Sequence, residues 1–427
     1  MNTIRLQLGT WESLGEPAGQ VRRAVFIDEQ QIPESLEWDE NDPVSRHCVA
    51  YQDGQPVGTG RLLPDGHIGR MAVLADARRA GLGGRILTAL VGEARRRGDT
   101  AVQLSAQTHA LDFYRRHGFV AQGEVYDEVG IAHRHMRRPL WGGAVTRHEW
   151  REPARADGPS LRQREWRPER GHGGGLYLLH GLGEHSARHD ALATWLCERG
   201  WRVRAHDHAG HGESGGRRGV ITAADQLRAE AGLLLADFER SLGAPPLLLG
   251  HSMGGALAAD LVLGAGARVS GLVLSSPALA IGLGRPLSLL VSVLNRLMPE
   301  LALGNGLDAN RLSHDPAIVG AYRADPLVHD RISPRLLSWL EQAGQHARRA
   351  AGELAVPTLL LVAGDDRLVR PQGSRDFADA APAGRVSLHW YDGLYHELFN
   401  EAEPARQQVF ADLDRWLVAR EPGFSRD

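Results

Sequence analysis

The chain has 427 residues, which exceeds what one hydrophobic core usually supports and so predicts two domains. Its net charge of −3, with 42% hydrophobic and 24% charged residues, is ordinary for a soluble globular protein and gives no footprint for nucleic acid. Two cysteines, Cys48 and Cys197, are too few for a disulfide framework. The start of the chain has no signal-peptide pattern, and no window of about 20 apolar residues predicts a membrane span. We therefore expect a cytoplasmic protein without a nucleic-acid partner.

The first part of the chain, residues 1–140, alternates short apolar runs with helical patterns. Residues 21–29 and 85–97 predict helices, because their apolar residues recur at helical spacing. The apolar runs predict strands at residues 46–52, 58–63, 67–74 and 101–105. This alternation predicts a mixed α/β domain.

A glycine-rich loop separates the predicted strand at residues 67–74 from the helix at residues 85–97. The loop consists of Arg78, Arg79, Ala80, Gly81, Leu82, Gly83 and Gly84. Glycines allow the backbone to approach a phosphate closely, and the first N–H groups of the following helix point at the anion. The pattern predicts a phosphate-binding loop, although a helix start without a ligand also fits the bare sequence.

Two segments of this part resemble the GNAT superfamily of N-acetyltransferases. Arg78-x-x-Gly81-x-Gly83 is similar to the R/Q-x-x-G-x-G/A loop, which in that superfamily holds the pyrophosphate of acetyl-coenzyme A. Residues 107–119, Q-x-x-A-x-x-x-Y-x-x-x-G-F, are similar to a second family segment that usually begins with asparagine. Residues 25–39 also resemble one branch of predicted acetyltransferases. The resemblance covers residues 1–140 and implies a GNAT-like domain with acetyl-coenzyme A as its cofactor.

The resemblance also assigns roles to single residues. It implies that Met71, Ala72 and Val73 pair their backbone with the pantetheine arm, and that residues 78–84 hold the pyrophosphate. It places Tyr114 as the general acid that protonates the departing thiolate, although a tyrosine packed on a helix face is the alternative. Gln107, which the resemblance implies as a cofactor contact, stands where the family has asparagine. The general base is open between Glu29 and Glu37, and the sequence does not name the acceptor.

Residues 141–158 predict a linker between two domains. Residues 147–160 are charged, contain proline and glycine, and show no apolar periodicity. We expect residues 161–167 to open the second domain, at residues 159–420, as an edge strand.

The second domain alternates strand and helix patterns from residue 173 onwards, which predicts a mostly parallel sheet. The predicted strands are residues 176–180, 201–205, 246–249, 272–274, 357–363 and 386–391, with helices at 191–199 and 223–242. Ligands and catalytic groups gather at the carboxyl ends of strands in such sheets. The histidine-rich segment at residues 206–211 follows one of these strands, and we interpret it as a structured loop and not as a metal site.

The sequence Gly-His-Ser-Met-Gly-Gly, at residues 250–255, lies between an apolar strand pattern and a helical run. A strand that turns sharply into a helix exposes a serine at the turn, so Ser252 is the candidate nucleophile. We expect the backbone N–H groups of Leu182 and Met253 to stabilise the oxyanion. A glycine-rich turn without catalytic function is the alternative.

A serine nucleophile needs a histidine base and an acid that orients it, and in the α/β-hydrolase order the acid precedes the histidine. The strand at 357–363 is followed by Asp365 and Asp366, and the strand at 386–391 is followed by His396. We therefore predict His396 as the base and Asp366 as the acid, with Asp365 as the alternative by a shift of one residue.

Four segments together resemble the monoacylglycerol lipase and lysophospholipase branch of the α/β hydrolases. They are residues 180–186, 207–214, 250–255 and 396–401. The resemblance covers residues 150–420 and implies a serine hydrolase that cleaves acyl esters without a cofactor. Residues 277–351 interrupt the sheet pattern after the sixth strand, where this family has a helical cap, and their apolar run suits an acyl chain or a lipid interface.

The sequence therefore predicts a bifunctional fusion of an acetyl-coenzyme A-dependent acetyltransferase with a serine ester hydrolase. A small acyl ester and acetyl-coenzyme A are the expected partners, with transient contact between the cap and a lipid interface. Hydrolysis of a thioester or a carbon–carbon bond on the same triad is one alternative. The other is a hydrolase whose N-terminal domain binds coenzyme A without catalysing a reaction. A haloalkane dehalogenase is disfavoured, because that chemistry uses aspartate where this chain has Ser252.

Overall fold

The computed structural model describes residues 4–78, 81–128, 130–140, 142–171, 173–418 and 420. The chain divides into two compact units, and the boundary lies between residues 141 and 142. Each unit has its own sheets and its own buried apolar core. Within the described residues, no helix is both long and apolar enough to cross a lipid bilayer.

The N-terminal unit contains seven strands and four α-helices among its described residues. The strands are β1 (Ile4–Gly9), β2 (Arg46–Gln52), β3 (Gln55–Leu62), β4 (Ile68–Val73), β5 (Ala101–Gln107), β6 (Val120–Glu128) and β7 (Ile131–Pro139). The helices are α1 (Trp11–Arg22), α2 (Glu34–Glu37), α3 (Leu82–Arg97) and α4 (Leu111–Arg115). The amphipathic helix α3 buries one face of leucine, isoleucine and valine in the core of this unit.

The seven strands form two sheets that diverge and leave a cleft. One sheet has the order β1-β2-β3-β4 and the other β5-β7-β6. Strands β4 and β5 meet in an isolated parallel bridge between His67 and Gln103. Arg70 has a left-handed φ of 52° and lies where the pairing of β3 with β4 shifts register, so β4 bends at this point. The edge of β4 beyond the bridge faces the cleft.

The helix predicted at residues 21–29 is placed differently in the structure. The α-helix α1 ends at Arg22, and a π-helix follows over Arg23–Glu29. Leu14, Ala18 and Val21 share the buried face of α1. Gly15, Pro17 and Gly19 are poor helix formers, so the sequence pattern did not predict a helix here. The tertiary packing of the apolar face outweighs the low helix propensity of these residues.

The C-terminal unit is built around one large sheet. Its strands are β8 (Gly142–Pro153), β9 (Ser160–Arg170), β10 (Gly175–Leu179), β11 (Arg202–His206), β12 (Leu247–His251), β13 (Gly271–Ser275), β14 (Leu303–Gly304), β15 (Arg331–Ile332), β16 (Thr358–Ala363) and β17 (Val386–Tyr391). Its helices are α5 (Asp190–Cys197), α6 (Gln226–Leu242), α7 (Met253–Leu263), α8 (Arg285–Leu297), α9 (Pro316–Ala324), α10 (Pro334–Ala350), α11 (Gln372–Ala380) and α12 (Ala405–Val418).

Eight of these strands pair in the order β17-β16-β13-β12-β10-β11-β9-β8. Strands β10 to β13, β16 and β17 run parallel, and β9 and β8 add an antiparallel end. The central strands β10, β12, β13 and β16 are buried along their whole length, as parallel strands covered by helices must be. Their carboxyl ends meet at one edge of the sheet.

The predicted linker at residues 141–158 is wrong for most of its length. Gly142–Pro153 is a strand, β8, that pairs with β9 at the end of the sheet. Ion pairs between the two strands, for example Arg162 with Glu149, occupy positions where a half-buried strand would have apolar side chains. An edge strand that is exposed on both faces needs no apolar alternation, which is why its sequence looks like a loop. Only residues 154–159 connect two elements of the sheet.

An insertion of helices separates β13 from β16, at the position of the predicted cap at residues 277–351. The helix α10 packs against α7 and buries Leu336, Leu340 and Ala343 in the core beneath the sheet edge. It therefore belongs to the layer that covers the sheet, and its Pro334, Leu337 and Leu340 also line the cavity that contains Ser252. Within the insertion, α9 begins at Pro316, and the Asp315 side chain caps its first turn.

Candidate active sites

Ser252 lies at the tight turn between β12 and α7. Its backbone is left-handed, with φ 53° and ψ −118°, a conformation that costs about 1–3 kcal/mol and is held by the surrounding structure. The neighbouring glycines allow this turn. A Cβ atom at Gly250 would lie 2.2 Å from the carbonyl oxygen of Gly254, and one at Gly254 would lie 2.2 Å from that of Leu179. The turn therefore requires glycine at both positions.

The predicted oxyanion donors lie beside Ser252. Met253 is the first residue of α7, where the N–H groups have no acceptor within the helix and the helix dipole is positive. Leu182 lines the same cavity as Ser252, next to Gly181. The backbone N–H of Gly181 donates to Glu184 Oε1 at 2.6 Å, which fixes this loop against the nucleophile. Two backbone segments thus converge on the position where an oxyanion would form.

His396 and Asp366 are in direct contact. Nδ1 of His396 lies 2.6 Å from Oδ2 of Asp366, and both residues are buried. The other carboxylate oxygen of Asp366 accepts the backbone N–H groups of Leu368 and Val369 at 2.9 and 3.1 Å. Asp365 points elsewhere and pairs with Arg367. Because an ionised carboxylate only accepts, Nδ1 carries the hydrogen, and the Nε2 of a neutral ring keeps its lone pair.

The protonation of this pair follows from its surroundings. Burial lowers the pKa of His396, but the charge and hydrogen bond of Asp366 more than offset this, and the net pKa is raised. Burial raises the pKa of Asp366, but the charge of His396 and the backbone N–H groups lower it below its usual value. The arrangement therefore holds a carboxylate against an imidazole that gains proton affinity, as a general base requires.

A buried ion network next to His396 was not found by sequence reasoning. Arg188 donates to Glu184 at 2.7 Å and to Glu397 at 2.6 and 2.9 Å. Both carboxylates are buried, and the charge of Arg188 helps to hold the pKa of Glu397 below its usual value despite burial. The signal was available, because Glu184 follows the first glycine-rich turn and Glu397 directly follows the predicted base. The network places two carboxylates around one guanidinium beside His396.

A cavity of about 360 Å³ connects these groups. Ser252, Met253, Leu182 and His396 line one end of it. The insertion supplies an apolar wall of Leu287, Leu290, Val291, Leu294, Leu303 and Leu307. An apolar cavity with a few converging polar groups at one end suits a ligand with a hydrocarbon part and a reactive polar part.

The histidine-rich segment beneath this edge is a hydrogen-bonded loop. His208 Nδ1 lies 3.1 Å from His206 Nε2, and the backbone N–H of His208 donates to His180 Nε2 at 2.9 Å. Burial lowers the pKa of His206 and His211 to about 4. Among the residues that the structure describes, no group of three or more histidine, cysteine or acidic side chains is arranged to hold a metal ion.

The cleft of the N-terminal unit has a volume of about 920 Å³. The predicted cofactor residues that line it are Met71, Ala72, Val73, Arg78 and Gln107, together with Tyr114. Gly81 precedes α3 with a left-handed φ of 73°, and Leu82, Gly83 and Gly84 form the first turn of that helix. Arg79 and Ala80 lie outside the described residues. Arg78 and the edge of β4 therefore border this cleft, whereas Gly81, Leu82, Gly83 and Gly84 are not among the described residues that line it.

The two candidate bases are held in ion pairs. Arg78 binds both carboxylate oxygens of Glu29, at 2.8 and 2.6 Å, and its Nε donates to the carbonyl oxygen of Val73. This contact lowers the pKa of the exposed Glu29, which makes it a weaker base. Glu37 is buried against Arg22 at 2.5 Å and Arg70 at 3.3 Å, and burial raises its pKa. The ion pair with Arg78 therefore lowers the proton affinity of Glu29, whereas burial raises that of Glu37.

Tyr114 stays protonated at neutral pH. Burial raises the pKa of its hydroxyl to about 12. Its ring packs at a steep angle against Phe113 and Phe119, with centroids 4.9 and 5.9 Å apart. The side-chain amide of Gln107 donates to Gln30 Oε1 at 3.4 Å, on the opposite wall of the cleft. Tyr114 therefore keeps its proton at the wall of the cleft, where its raised pKa makes it a weaker acid than an ordinary tyrosine.

The sheet, the strained serine turn and the buried histidine–aspartate pair define the C-terminal unit as an α/β hydrolase of the serine type. A family model described as serine aminopeptidase, S33, matches residues 172–403, more than half of the chain. The chain belongs to this hydrolase family. A second model, described as acetyltransferase (GNAT) domain, matches residues 14–140. The protein is therefore a fusion of a GNAT acetyltransferase domain and a monoacylglycerol lipase-like hydrolase domain, and the predicted fold classes of both are confirmed.

Monoacylglycerol lipases are among the relatives of the hydrolase domain. The chain is 36% identical to a monoacylglycerol lipase of Mycolicibacterium smegmatis over 265 residues, which is 60% of this chain and 91% of the relative. It is 33% identical to human monoglyceride lipase over 274 residues, or 62% of this chain and 89% of the relative. The crystal structure of a Paleococcus ferrophilus monoacylglycerol lipase matches with a TM-score of 0.54 and 33% identity, covering 65% of this chain and 99% of that one.

Proposed function

We propose that the C-terminal domain hydrolyses carboxylesters such as monoacylglycerols or lysophospholipids, with Ser252, His396 and Asp366 as its triad. The observation that carries the proposal is the contact of His396 with Asp366 in the same apolar cavity as the strained Ser252. Relatives named as monoacylglycerol lipases support the substrate class.

The reaction proceeds through an acyl-enzyme. Ser252 Oγ attacks the ester carbonyl while His396 Nε2 takes its proton, and a bond forms between Oγ and the acyl carbon. The N–H groups of Leu182 and Met253 stabilise the oxyanion. His396 then gives its proton to the departing alcohol as the ester bond breaks. Water, deprotonated by the same histidine, attacks the acyl-enzyme and releases the fatty acid and Ser252.

A fluorophosphonate probe tests the nucleophile, because it phosphonylates activated serines. We expect labelling of the intact protein, no labelling of Ser252→Ala, and hydrolysis of monoacylglycerols across a range of chain lengths. Equal labelling of Ser252→Ala would remove Ser252 from the mechanism. Parallel assays with acyl-coenzyme A thioesters and with carbon–carbon hydrolase substrates separate the two alternatives that use the same triad. A preference for either would replace the ester assignment.

We infer in addition that the insertion contacts a lipid interface transiently. The helix α8 exposes Leu289 and Leu297 by 68% and 71%, beside half-exposed Leu290 and Val293. A contiguous exposed apolar patch of this kind is unusual on a surface that is exposed only to solvent. Sedimentation with phosphatidylcholine vesicles tests this: a double variant, Leu289→Ser with Leu297→Ser, is expected to bind less than the unmodified protein. Equal binding of both would show that α8 does not contact the interface.

We propose that the N-terminal domain is an N-acetyltransferase that uses acetyl-coenzyme A and an amine acceptor of unassigned identity. The helix N-terminus after Gly81 and the β4 edge support cofactor binding, and Tyr114 supports proton donation to the thiolate. Calorimetric titration with acetyl-coenzyme A tests this, and no binding would overturn it. Cofactor binding without acetyl transfer to any amine of a broad panel would favour the alternative of a regulatory coenzyme A-binding domain.

A further inference from the structure

The loop that carries His396 is held on one side by the insertion. The backbone N–H of Glu397 donates to the carbonyl oxygen of Leu312 at 2.8 Å, and that of His396 donates to Arg311 at 3.4 Å. The oxygens that accept these bonds belong to the segment that precedes α9. The position of the triad histidine therefore depends on residues 311–314 as well as on its own strand.

A buried carboxylate joins the same two segments. Glu401 is 2% exposed, and its Oε1 accepts the backbone N–H of Tyr395 at 2.7 Å. Its Oε2 accepts the backbone N–H groups of His314 at 3.1 Å and Ala402 at 3.0 Å. Burial raises the pKa of Glu401, but these donors lower it below its usual value, so the side chain is ionised. A charged acceptor forms stronger hydrogen bonds than a neutral one.

The side chain of Tyr395 is fixed by the same cluster. The ring of His314 stacks on it with centroids 3.7 Å apart and planes at 23°. His314 Nδ1 donates to Glu401 Oε1 at 2.9 Å, which fixes the orientation of the imidazole ring. Arg311 donates to the Tyr395 hydroxyl at 3.1 Å. The residue before His396 is thus held at its backbone, its ring and its hydroxyl.

We propose that Glu401 is a positioning residue for His396. It ties Tyr395 to the insertion through His314, and so holds the imidazole between Asp366 and Ser252. Among the described residues, Glu401 does not line the cavity around Ser252, so it acts through the histidine loop and not through the substrate. The inference rests on the proposed hydrolase function of this site. A displacement of about 1 Å in a reacting group can cost roughly a hundredfold in rate.

The first test compares Glu401→Gln with Glu403→Gln. In Glu401→Gln, an amide N–H₂ group replaces one of the two carboxylate oxygens that accept backbone N–H groups, so donor faces donor. The control residue Glu403 is exposed and pairs with Arg406 at 3.0 Å. We expect Glu401→Gln to lower kcat about ten- to a hundredfold for a p-nitrophenyl ester, with KM within about twofold. Glu403→Gln is expected to match the unmodified protein. The amount of serine labelled by a fluorophosphonate gives the concentration of active sites. Because kcat is calculated from this concentration, unfolded protein does not lower the measured kcat.

A second variant keeps the proposal testable if Glu401→Gln does not fold. The His314 side chain is 43% exposed, so His314→Ala removes the stacked ring and one hydrogen bond without opening a buried cavity. We expect it to lower kcat several-fold in the same direction. An unchanged kcat for each labelled site in His314→Ala, or in folded Glu401→Gln, overturns the positioning role. An unlabelled wild-type protein instead overturns the proposed hydrolase function, and the inference with it.

Discussion

The two candidate active sites differ in what their side chains contact. In the hydrolase unit, His396 contacts Asp366, and the strained turn at Ser252 is fixed by glycines that leave no space for a side chain. In the acetyltransferase unit, Arg78 binds Glu29, and Gln107 contacts Gln30. In the first site the proposed base is already in contact with the acid that orients it, whereas in the second the groups expected to meet the cofactor contact other side chains.

The chemistry of each reaction explains the difference. A serine hydrolase draws nucleophile, base and acid from its own side chains, so their mutual geometry must be built into the fold. An acetyltransferase receives its reactive group on the cofactor, and the protein chiefly supplies backbone donors and a strand edge. We therefore expect substitutions at the first site to change rates greatly, and those at the loop of the second to change affinity modestly.

The largest effect is expected for Asp366→Asn. An asparagine can no longer hold the imidazole in the tautomer that leaves Nε2 free, and the loss of the corresponding group in serine proteases lowers kcat about 10⁴-fold. We expect a fall of that order in ester hydrolysis with the fold retained. Asp365→Asn is the matched control, because in the described hydrogen bonds the side chain of Asp365 contacts only the exposed Arg367, and the kcat of this variant should stay unchanged. A large loss in the control, and not in Asp366→Asn, would reverse the assignment of the acid.

The next effect concerns the ion network beside the triad. Arg188→Ala leaves Glu184 and Glu397 buried without their shared cation. Breaking a buried ion network in this way costs about 3–5 kcal/mol of unfolding free energy. Urea denaturation of the full chain measures it, with Arg367→Ala as a control that removes an exposed arginine and should change stability little. Equal midpoints for the two variants would contradict a structural role for the network.

A smaller effect per residue is expected from the buried histidines of the hydrolase unit. Burial lowers the pKa of His206, His211 and His251 to about 4, below the usual value of 6.5. The unfolded chain therefore binds more protons than the folded one below pH 6.5, and stability falls as the pH drops from there towards 4. Between pH 6.5 and 5.5, each of these histidines lowers the free energy of unfolding by about 1 kcal/mol. His396 acts in the opposite direction, since its net pKa is raised.

Denaturation midpoints between pH 7.5 and 5 measure this effect. These histidines should leave the denaturation midpoint of the hydrolase unit unchanged above pH 7. Below pH 6.5 we expect the midpoint to fall steadily. His211→Gln removes one of the groups and should make the fall shallower. A midpoint that does not change down to pH 5 would show that these histidines do not stay neutral in the folded state.

Sequence patterns predicted most strands of the sheets and the residues of the triad loops, because these depend on local signals. The apolar runs at residues 386–391 and 46–52 coincide with β17 and β2. The strand β8 was missed because an exposed edge strand shows no alternation, and α1 was missed because Gly15, Pro17 and Gly19 conceal its apolar face. Packing outweighs local propensity in both cases.

The parts of the sites that depend on long-range contacts could not be predicted. Glu397 meets Arg188 across 209 positions in the chain, and Glu401 meets His314 across 87. No local pattern reports such a pair, because the topology alone brings the two segments together. The sequence favoured Asp366 and kept Asp365 as the alternative, because adjacent side chains point in different directions and only the position of His396 distinguishes them.

The smallest effect is expected for the ion pair between Glu29 and Arg78, and it tests the second half of the comparison. Both side chains are more than 40% exposed, so the pair is screened by solvent. Glu29→Gln frees the guanidinium for an anionic ligand, and calorimetry should show acetyl-coenzyme A binding that is tighter by no more than about fivefold. Glu34→Gln is the matched control, because Glu34 forms a similar exposed pair with Arg23 but does not line the described cleft. Weaker binding in Glu29→Gln would mean that this carboxylate holds Arg78 in its binding position. The side chains of the cofactor loop would then be fixed by contacts within the protein, as those of the proposed triad are.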